Sequence, residues 1–393
     1  MSAPPKEKLP TAAASAHRRR RVMIVAGEAS GDLHGADLAA QILARDPACE
    51  LFGVAGERMR AAGVRALTRT EDIAGLGLAE LASTIWSTLG ALRELKAIVR
   101  RERPDLVILI DFAEFNMSLA RAAKRAGVPV LYYITPQVWA WRRGRVARII
   151  ERTDRLAVVL PFEAELYASA GGRVTFVGHP LLGRVAPAQD RAATLKRHGL
   201  PAHARLLALL PGSRRGEVRY LLRPMVEAAR VLEADHGLTP VIALAPTLTL
   251  AQLREEGRVN FDGIRVIEGD TYSIVAASEL ALAASGTATL EVALLGCPMV
   301  VAYKVSPLTY ALARMLVHGV DYFAMPNILA GREVVPELLQ SRVNARNLVR
   351  AAENLMVEPL HTETRDALLA LRARLGEPGA AARVAAIALE MMA

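Results

Sequence analysis

Leu210-Pro211-Gly212-Ser213-Arg214-Arg215-Gly216-Glu217-Val218 gathers two arginines, a serine hydroxyl and a Pro-Gly turn in one short stretch. The apolar run Arg205–Leu210 before it is short enough for a buried strand. After it, Val218, Leu221, Leu222, Met225, Val226, Ala229 and Leu232 recur at helical spacing. A strand, a tight turn and a helix leave backbone N–H groups exposed at the helix N-terminus, where the macrodipole favours an anion. Gly212 gives the turn, Ser213 adds a donor, and Arg214 or Arg215 can grip a phosphate with paired hydrogen bonds. The stretch reads as a diphosphate site. The alternative is an ordinary surface turn with two solvated arginines.

A second turn of this kind is Ser285-Gly286-Thr287-Ala288, after the apolar run Leu280–Ala283. Small residues at a helix start again offer N–H groups to an anion. Glu291, one turn on from Thr287, is placed to accept hydrogen bonds from ribose hydroxyls. Helix capping alone would also account for the pattern. Two anion-ready turns in one domain favour a nucleotide.

Asp111 follows the run Leu106–Ile110, and a carboxylate at the end of a buried strand can act as a general base. Glu114 and Asn116 come soon after. A helix N-cap role for Asp111, with Glu114 in the first turn, is the competing explanation. Gly27-Glu28-Ala29-Ser30-Gly31-Asp32 follows the run Val22–Ala26. Its glycines 27, 31 and 35 match neither the dinucleotide fingerprint nor a P-loop. They permit tight turning and close approach of backbone to a ligand, or simply a close strand–helix crossing.

Between Leu76 and Val99, Leu81, Ile85, Leu89, Leu92, Leu95 and Val99 keep helical spacing with Trp86 beside them, and Arg93, Lys96, Arg100, Arg101 and Arg103 gather toward the end. This is a core-facing helix or an apolar strip that meets lipid, its basic residues facing anionic headgroups. Trp139, Trp141 and the arginines 142, 143, 145, 148 and 152 pose the same question, with a solvated basic helix as the default.

The elements that position these residues alternate. Strand-like runs at Val22–Ala26, Leu51–Ala55, Leu106–Ile110, Val130–Ile134, Leu156–Leu160 and Val174–Val177 are separated mostly by helical patterns. A second series runs through Arg205–Leu210, Pro240–Leu244, Ile264–Ile267, Leu280–Ala283 and Met299–Ala302. The alternation predicts an α/β protein of parallel sheets covered on both faces. We expect a disordered basic tail at 1–21, Rossmann-like domains at 22–182 and 183–342, and helices at 343–393. Ligands bind beyond the carboxyl ends of such strands, so two facing domains would form a cleft.

With 393 residues, 52% hydrophobic and 23% charged, there is chain enough for large cores. Two cysteines, Cys49 and Cys297, make neither a disulfide framework nor a metal cluster. The net charge of +9 suits nucleic acid, an anionic membrane or phosphorylated substrates, and does not choose among them. The tail lacks the apolar core of a secretory signal. No uninterrupted apolar run approaches the roughly 20 residues of a membrane span.

Taken in order, Gly27-Glu28-Ala29-Ser30-Gly31-Asp32, Pro136-Gln137-Val138-Trp139-Ala140-Trp141, Leu210-Pro211-Gly212-Ser213-Arg214, Ser285-Gly286-Thr287-Ala288 with Glu291, and Pro326-Asn327-Ile328-Leu329-Ala330-Gly331-Arg332-Glu333 resemble the lipid-A-disaccharide synthase family, inverting glycosyltransferases of family 19. The similarity runs from about Val22 to the C-terminus. It implies a GT-B fold, two Rossmann-like domains facing a central cleft, with the C-terminal helices packing back across it. It implies transfer of 2,3-diacylglucosamine from UDP-2,3-diacylglucosamine to 2,3-diacylglucosamine 1-phosphate (lipid X). Asp111 matches the family's catalytic aspartate, with Ala113 where the family has proline and Glu114 where many members have aspartate. The implied catalytic pair is Asp111 and Arg214. The implied UDP set is Gly212, Ser213, Arg214, Ser285, Gly286, Thr287, Glu291 and Asn327.

No cofactor or metal is expected. With acylated substrates the lipid reading of the 76–99 stretch moves ahead, making Leu81, Ile85, Trp86 and Leu89 the membrane contact of a peripheral enzyme on the cytoplasmic face of the inner membrane. A homodimer is left open. The rivals are a UDP-sugar 2-epimerase, a transferase acting on a peptidoglycan lipid, and a nucleic-acid-binding protein. The last lacks the usual stacking platform or reading helix, and nucleic acid is not an expected partner.

Overall fold

Continuous Val/Ile/Leu runs are the material of strands buried on both faces. A computed structural model describes residues 19–73, 81–138, 143–307, 309–310 and 321–393. The side chains of residue 73, residues 81–85 and residue 143 lie outside that description. The first sheet has seven strands: β1 (Arg21–Ala26), β2 (Glu50–Ala55), β3 (Arg65–Arg69), β4 (Leu106–Ile110), β5 (Val130–Tyr133), β6 (Arg155–Val158) and β7 (Val174–Phe176). Their order is β3-β2-β1-β4-β5-β6-β7. The second sheet has β8 (Arg205–Leu210), β9 (Leu238–Leu244), β10 (Arg265–Glu268), β11 (Ser278–Ala284), β12 (Met299–Tyr303) and β13 (Glu337–Leu339), in the order β10-β9-β8-β11-β12-β13. β1 pairs in parallel with β2 and β4, and β8 with β9 and β11.

Two Rossmann-like parallel sheets make this an α/β fold. In each, the chain order reverses beside a central strand, between β1 and β4 and between β8 and β11. Such switch points are where ligands bind in open α/β sheets. The ladders fix which turns are neighbours. Ala26 is level with Ile110, so the Gly27 and Asp111 turns lie side by side. Ala283 is level with Leu210, and Ala284 with Ala302, which puts the Ser213 and Ser285 turns and Tyr303 together at the edge of the second sheet.

Two strands escaped the apolar pattern, and both are sheet edges. β3 reads Arg-Ala-Leu-Thr-Arg and is largely half-exposed, and β13 has only three residues. An edge strand has a neighbour on one side only and tolerates polar residues. The expected strand Val130–Ile134 stops at Tyr133, because Ile134 takes a left-handed φ of 59° that ends the ladder.

Beside the second sheet, the helix Arg215–His236 buries Val218, Leu221, Leu222, Met225, Val226, Ala229 and Leu232. They share a core with Leu207, Leu209, Ile242 and, from the helix Ala345–Met356, Leu348, Ala352 and Leu355. By compactness the chain divides into Met1–Leu131 with Ala385–Ala393, and Tyr132–Val384. Within the second unit the C-terminal helical segment ties back to the chain after β7: His179 N–H donates to Leu375 O at 2.9 Å and Arg383 Nε to Val177 O at 2.9 Å. Among the described residues no helix is long and apolar enough to cross a membrane.

Candidate active site

In the first unit the catalytic candidate sits on a strained turn. Asp111 and Phe112 are consecutive non-glycine residues with φ of 48° and 50°. Left-handed backbone costs such residues roughly 1–2 kcal/mol each, so the neighbourhood must impose it. Asn116, fully buried, does so: its Nδ2 donates to Asp111 O at 2.7 Å and to Ile110 O at 3.2 Å. Phe112 stacks on Phe115, with ring centroids 5.0 Å apart. Its ring also covers Gly27 so closely that a Cβ there would collide with it. Gly27 is therefore required by the Asp111 turn itself. Asp111 is half-buried, and Phe112 rather than Asp111 is the N-cap of the helix Ala113–Arg125. Ala113 occupies the first helical position, where proline would fit, and Glu114 lies exposed in the first turn.

The glycine-rich loop resolves into packing roles. Gly31 lies against Ala26 and Ile110, and Gly35 lies against Met59. Asp32 is buried, and its carboxylate accepts from Arg58 N–H at 3.0 Å and Met59 N–H at 3.1 Å. It thereby caps the helix Glu57–Ala61, whose N-cap Gly56 has no side chain to do so. Glu28 is the N-cap of the helix Ala29–Arg45, and Ser30 is exposed in its first turn.

In the second unit the two turns differ. At the first, Glu217 Oε2 accepts from Ser213 N–H at 2.8 Å and Arg214 N–H at 3.3 Å. Gly212, at φ 117°, gives that carboxylate room that a Cβ would fill. Thr247 Oγ1 donates to Ser213 O at 2.6 Å and braces the turn. The arginines part ways here. Arg215 Nε donates to Glu256 Oε1 at 2.7 Å and its Nη2 to Glu255 at 2.8 Å. Arg219 also donates to Glu256, which is 5% exposed. Burial pushes the Glu256 carboxyl up, and the bonds from Arg219 and Arg215 outweigh it and hold it low. Arg214 is 66% exposed, with Nη1 3.8 Å from Glu217 Oε1.

At the second turn, Gly286 at φ 149° opens the helix Thr287–Leu294. Its N-cap Gly286 has no side chain to cap this end, and its first turn carries no acidic residue. Ser285 Oγ donates to Phe323 O at 3.3 Å, and Thr287 is exposed. Glu291 accepts from Tyr272 OH at 2.8 Å, and burial raises its carboxyl above the ordinary range. Tyr303, at the end of β12, feels both Glu217 and Arg214, with burial the main reason its hydroxyl pKa is raised.

Asn327 is fully buried and bonded inward. Its Oδ1 accepts from Val334 N–H at 2.7 Å and Val335 N–H at 3.0 Å, while Nδ2 donates to Val335 O at 2.8 Å and Glu337 Oε1 at 2.7 Å. Glu337 in turn accepts from Phe323 N–H at 2.8 Å and Ala324 N–H at 2.9 Å. Asn327 thus holds, through Glu337, the segment whose Phe323 carbonyl meets Ser285.

Trp86 and Leu89 stand 69% and 39% exposed on the helix Leu81–Glu102, while Leu95 and Val99 are buried. One helix thus serves both core and surface. The side chains of Leu81 and Ile85 lie outside the described residues, as do residues 1–18, Trp139, Trp141 and Arg142. Sequence reasoning missed Phe112, Tyr272 and Tyr303, and named Asn116 without its role. Only Asn116 had a signal, five residues after Asp111.

Two Rossmann-like sheets with these turns at their carboxyl edges make a GT-B fold. The fold is shared with CalG4, the calicheamicin glycosyltransferase (TM-score 0.58, 16% identity, 95% of this chain and 98% of that one), and with UDP-GlcNAc 2-epimerase from Neisseria meningitidis (TM-score 0.61, 14% identity, 94% and 100%). Residues 22–390 match the lipid-A-disaccharide synthetase family. The lipid-A-disaccharide synthase of Geobacter metallireducens is 44% identical over 375 residues, covering 95% of this chain and 97% of the relative. That of Syntrophus aciditrophicus is 45% identical over 376 residues, covering 94% and 97%. The chain belongs to the lipid-A-disaccharide synthase family, and it is a glycosyltransferase.

Proposed function

We propose that the protein transfers 2,3-diacylglucosamine from UDP-2,3-diacylglucosamine to lipid X with inversion, giving the β-1,6 lipid A disaccharide 1-phosphate and UDP. The observation that carries this is the relation to lipid-A-disaccharide synthases along nearly the whole chain. In the proposed reaction the acceptor hydroxyl oxygen bonds to the anomeric carbon as the bond from that carbon to the UDP oxygen breaks. Asp111 takes the hydroxyl proton, as the base does in inverting glycosidases. The strained turn pinned by Asn116 supports this role, because it fixes where the carboxylate leaves the backbone. The departing electron pair adds negative charge to the diphosphate, which Arg214 stabilises. The uncapped start of the helix Thr287–Leu294 supplies further donors, and Glu291 accepts from the ribose.

We assign residues 22–182 to the acceptor and the membrane, residues 183–342 to the UDP-sugar, and residues 343–393 to helices completing the fold. The enzyme would work as a peripheral protein on the cytoplasmic face of the inner membrane, with Trp86 and Leu89 in the lipid and nearby arginines at the headgroups. The deciding assay follows UDP release with and without lipid X. Release that does not depend on lipid X refutes the acceptor. Asp111→Asn should fold normally and lose about 100-fold or more of turnover, and unchanged kinetics would leave the base elsewhere. Trp86→Ser with Leu89→Ser should weaken flotation with anionic liposomes, and undiminished flotation returns these residues to the ordinary surface.

A further inference from the structure

Glu291 is a half-buried carboxylate beside the uncapped turn, and one of its oxygens is already engaged. Tyr272, in the helix Thr271–Ala277, donates its hydroxyl to Glu291 Oε1 at 2.8 Å. An acidic side chain one turn inside a helix has several rotamers, and a phenol at hydrogen-bond distance selects one of them. Tyr272 is itself on a fastened turn. The preceding Asp270 is buried, with Oδ2 2.8 Å from His198 Nε2 and 3.7 Å from Arg197 Nη1. Ser273 is also buried, and its Oγ accepts from Ala188 N–H at 3.1 Å. The helix that carries Tyr272 is thus tied at both neighbours to residues 188–198, the segment leading into β8.

We propose that Tyr272 is a positioning residue for the nucleotide, holding Glu291 in the one orientation that presents its second oxygen to the ribose hydroxyls. The proposal rests on the ribose role given to Glu291 above. It deepens that role by naming what makes it selective. A carboxylate held in place before the ligand arrives loses less rotamer freedom on binding. A site built to accept from hydroxyls penalises a ligand that lacks them, because its acceptor is then left unpaired. The other reading is that the Tyr272–Glu291 bond merely staples two helices together. That would affect every ligand of the folded protein equally.

Calorimetric titration of the full-length protein with UDP and with 2′,3′-dideoxyuridine diphosphate separates the two. The wild type should prefer UDP by roughly 10- to 100-fold. Tyr272→Phe keeps the ring and should weaken UDP by about 3- to 10-fold while leaving the dideoxy ligand within about twofold, so that the preference narrows. Equal weakening of both ligands, or none, overturns the proposal. Glu291→Gln identifies which statement has failed. If that variant loses the preference while Tyr272→Phe keeps it, Glu291 reads the ribose without help from Tyr272. If Glu291→Gln keeps the full preference, the ribose role is wrong, and the proposal falls with it.

Discussion

The helix starts at Arg215 and Thr287 follow neighbouring central strands, and by residue type both are equally suited to an anion. In the folded protein they are not equivalent. At the first, Glu217 has taken the N–H groups of Ser213 and Arg214, and Arg215 is committed to Glu255 and Glu256. At the second the N-cap is Gly286, which has no side chain to cap the helix. A turn that satisfies its own donors is stable but has fewer left to give, whereas an uncapped one keeps them for a ligand. The first turn is thus a rigid mount for one exposed arginine, and the second is a backbone cradle.

The strongest way to break this division is to change the adjacent arginines separately. Arg214→Ala should lower turnover by about 100- to 1000-fold with an unaltered unfolding midpoint. Arg215→Ala should instead cost about 1–3 kcal/mol of stability, since Glu256 loses a donor, and keep much of its turnover. Denaturation curves beside steady-state rates test both, and matching behaviour of the two variants would erase the distinction.

A smaller effect is expected at the cradle. Thr287→Pro removes one backbone N–H at the first helical position, where proline is tolerated. UDP affinity should fall by about tenfold with the fold intact. Unchanged affinity would mean that this end does not hold the diphosphate. The smallest effect on binding belongs to Glu217→Ala, which removes a cap and should cost about 0.5–2 kcal/mol of stability. Its UDP affinity should stay near that of the wild type. Pronounced tightening would show that Glu217 competes with the ligand for the same donors.

Strands buried on both faces were legible because their apolar runs are continuous, as in Leu106–Ile110 and Arg205–Leu210. β3 and β13 were not, because an edge strand needs no such run. The turns that follow the central strands could be located for the same reason, since the end of a run marks the carboxyl edge of a sheet. What each turn does with its polar groups could not be read, because those groups are satisfied from far along the chain. Asp32 is claimed by the backbone of Arg58 and Met59, and Arg215 by Glu255 and Glu256.

The sequence by itself determined the α/β class, the order of the two strand series, and the positions of Asp111, Arg214, Ser285 and Glu291 at or beyond strand ends. These follow from local periodicity and residue chemistry, which act over a few residues. The tertiary structure alone decided that Arg214 rather than Arg215 stands exposed, that Asn327 is spent on internal bonds, and that Tyr272 holds Glu291. It also showed that Gly27 exists to make room for Phe112. Each of these depends on which distant groups fold into hydrogen-bond or van der Waals reach, and that proximity is a property of the packed chain.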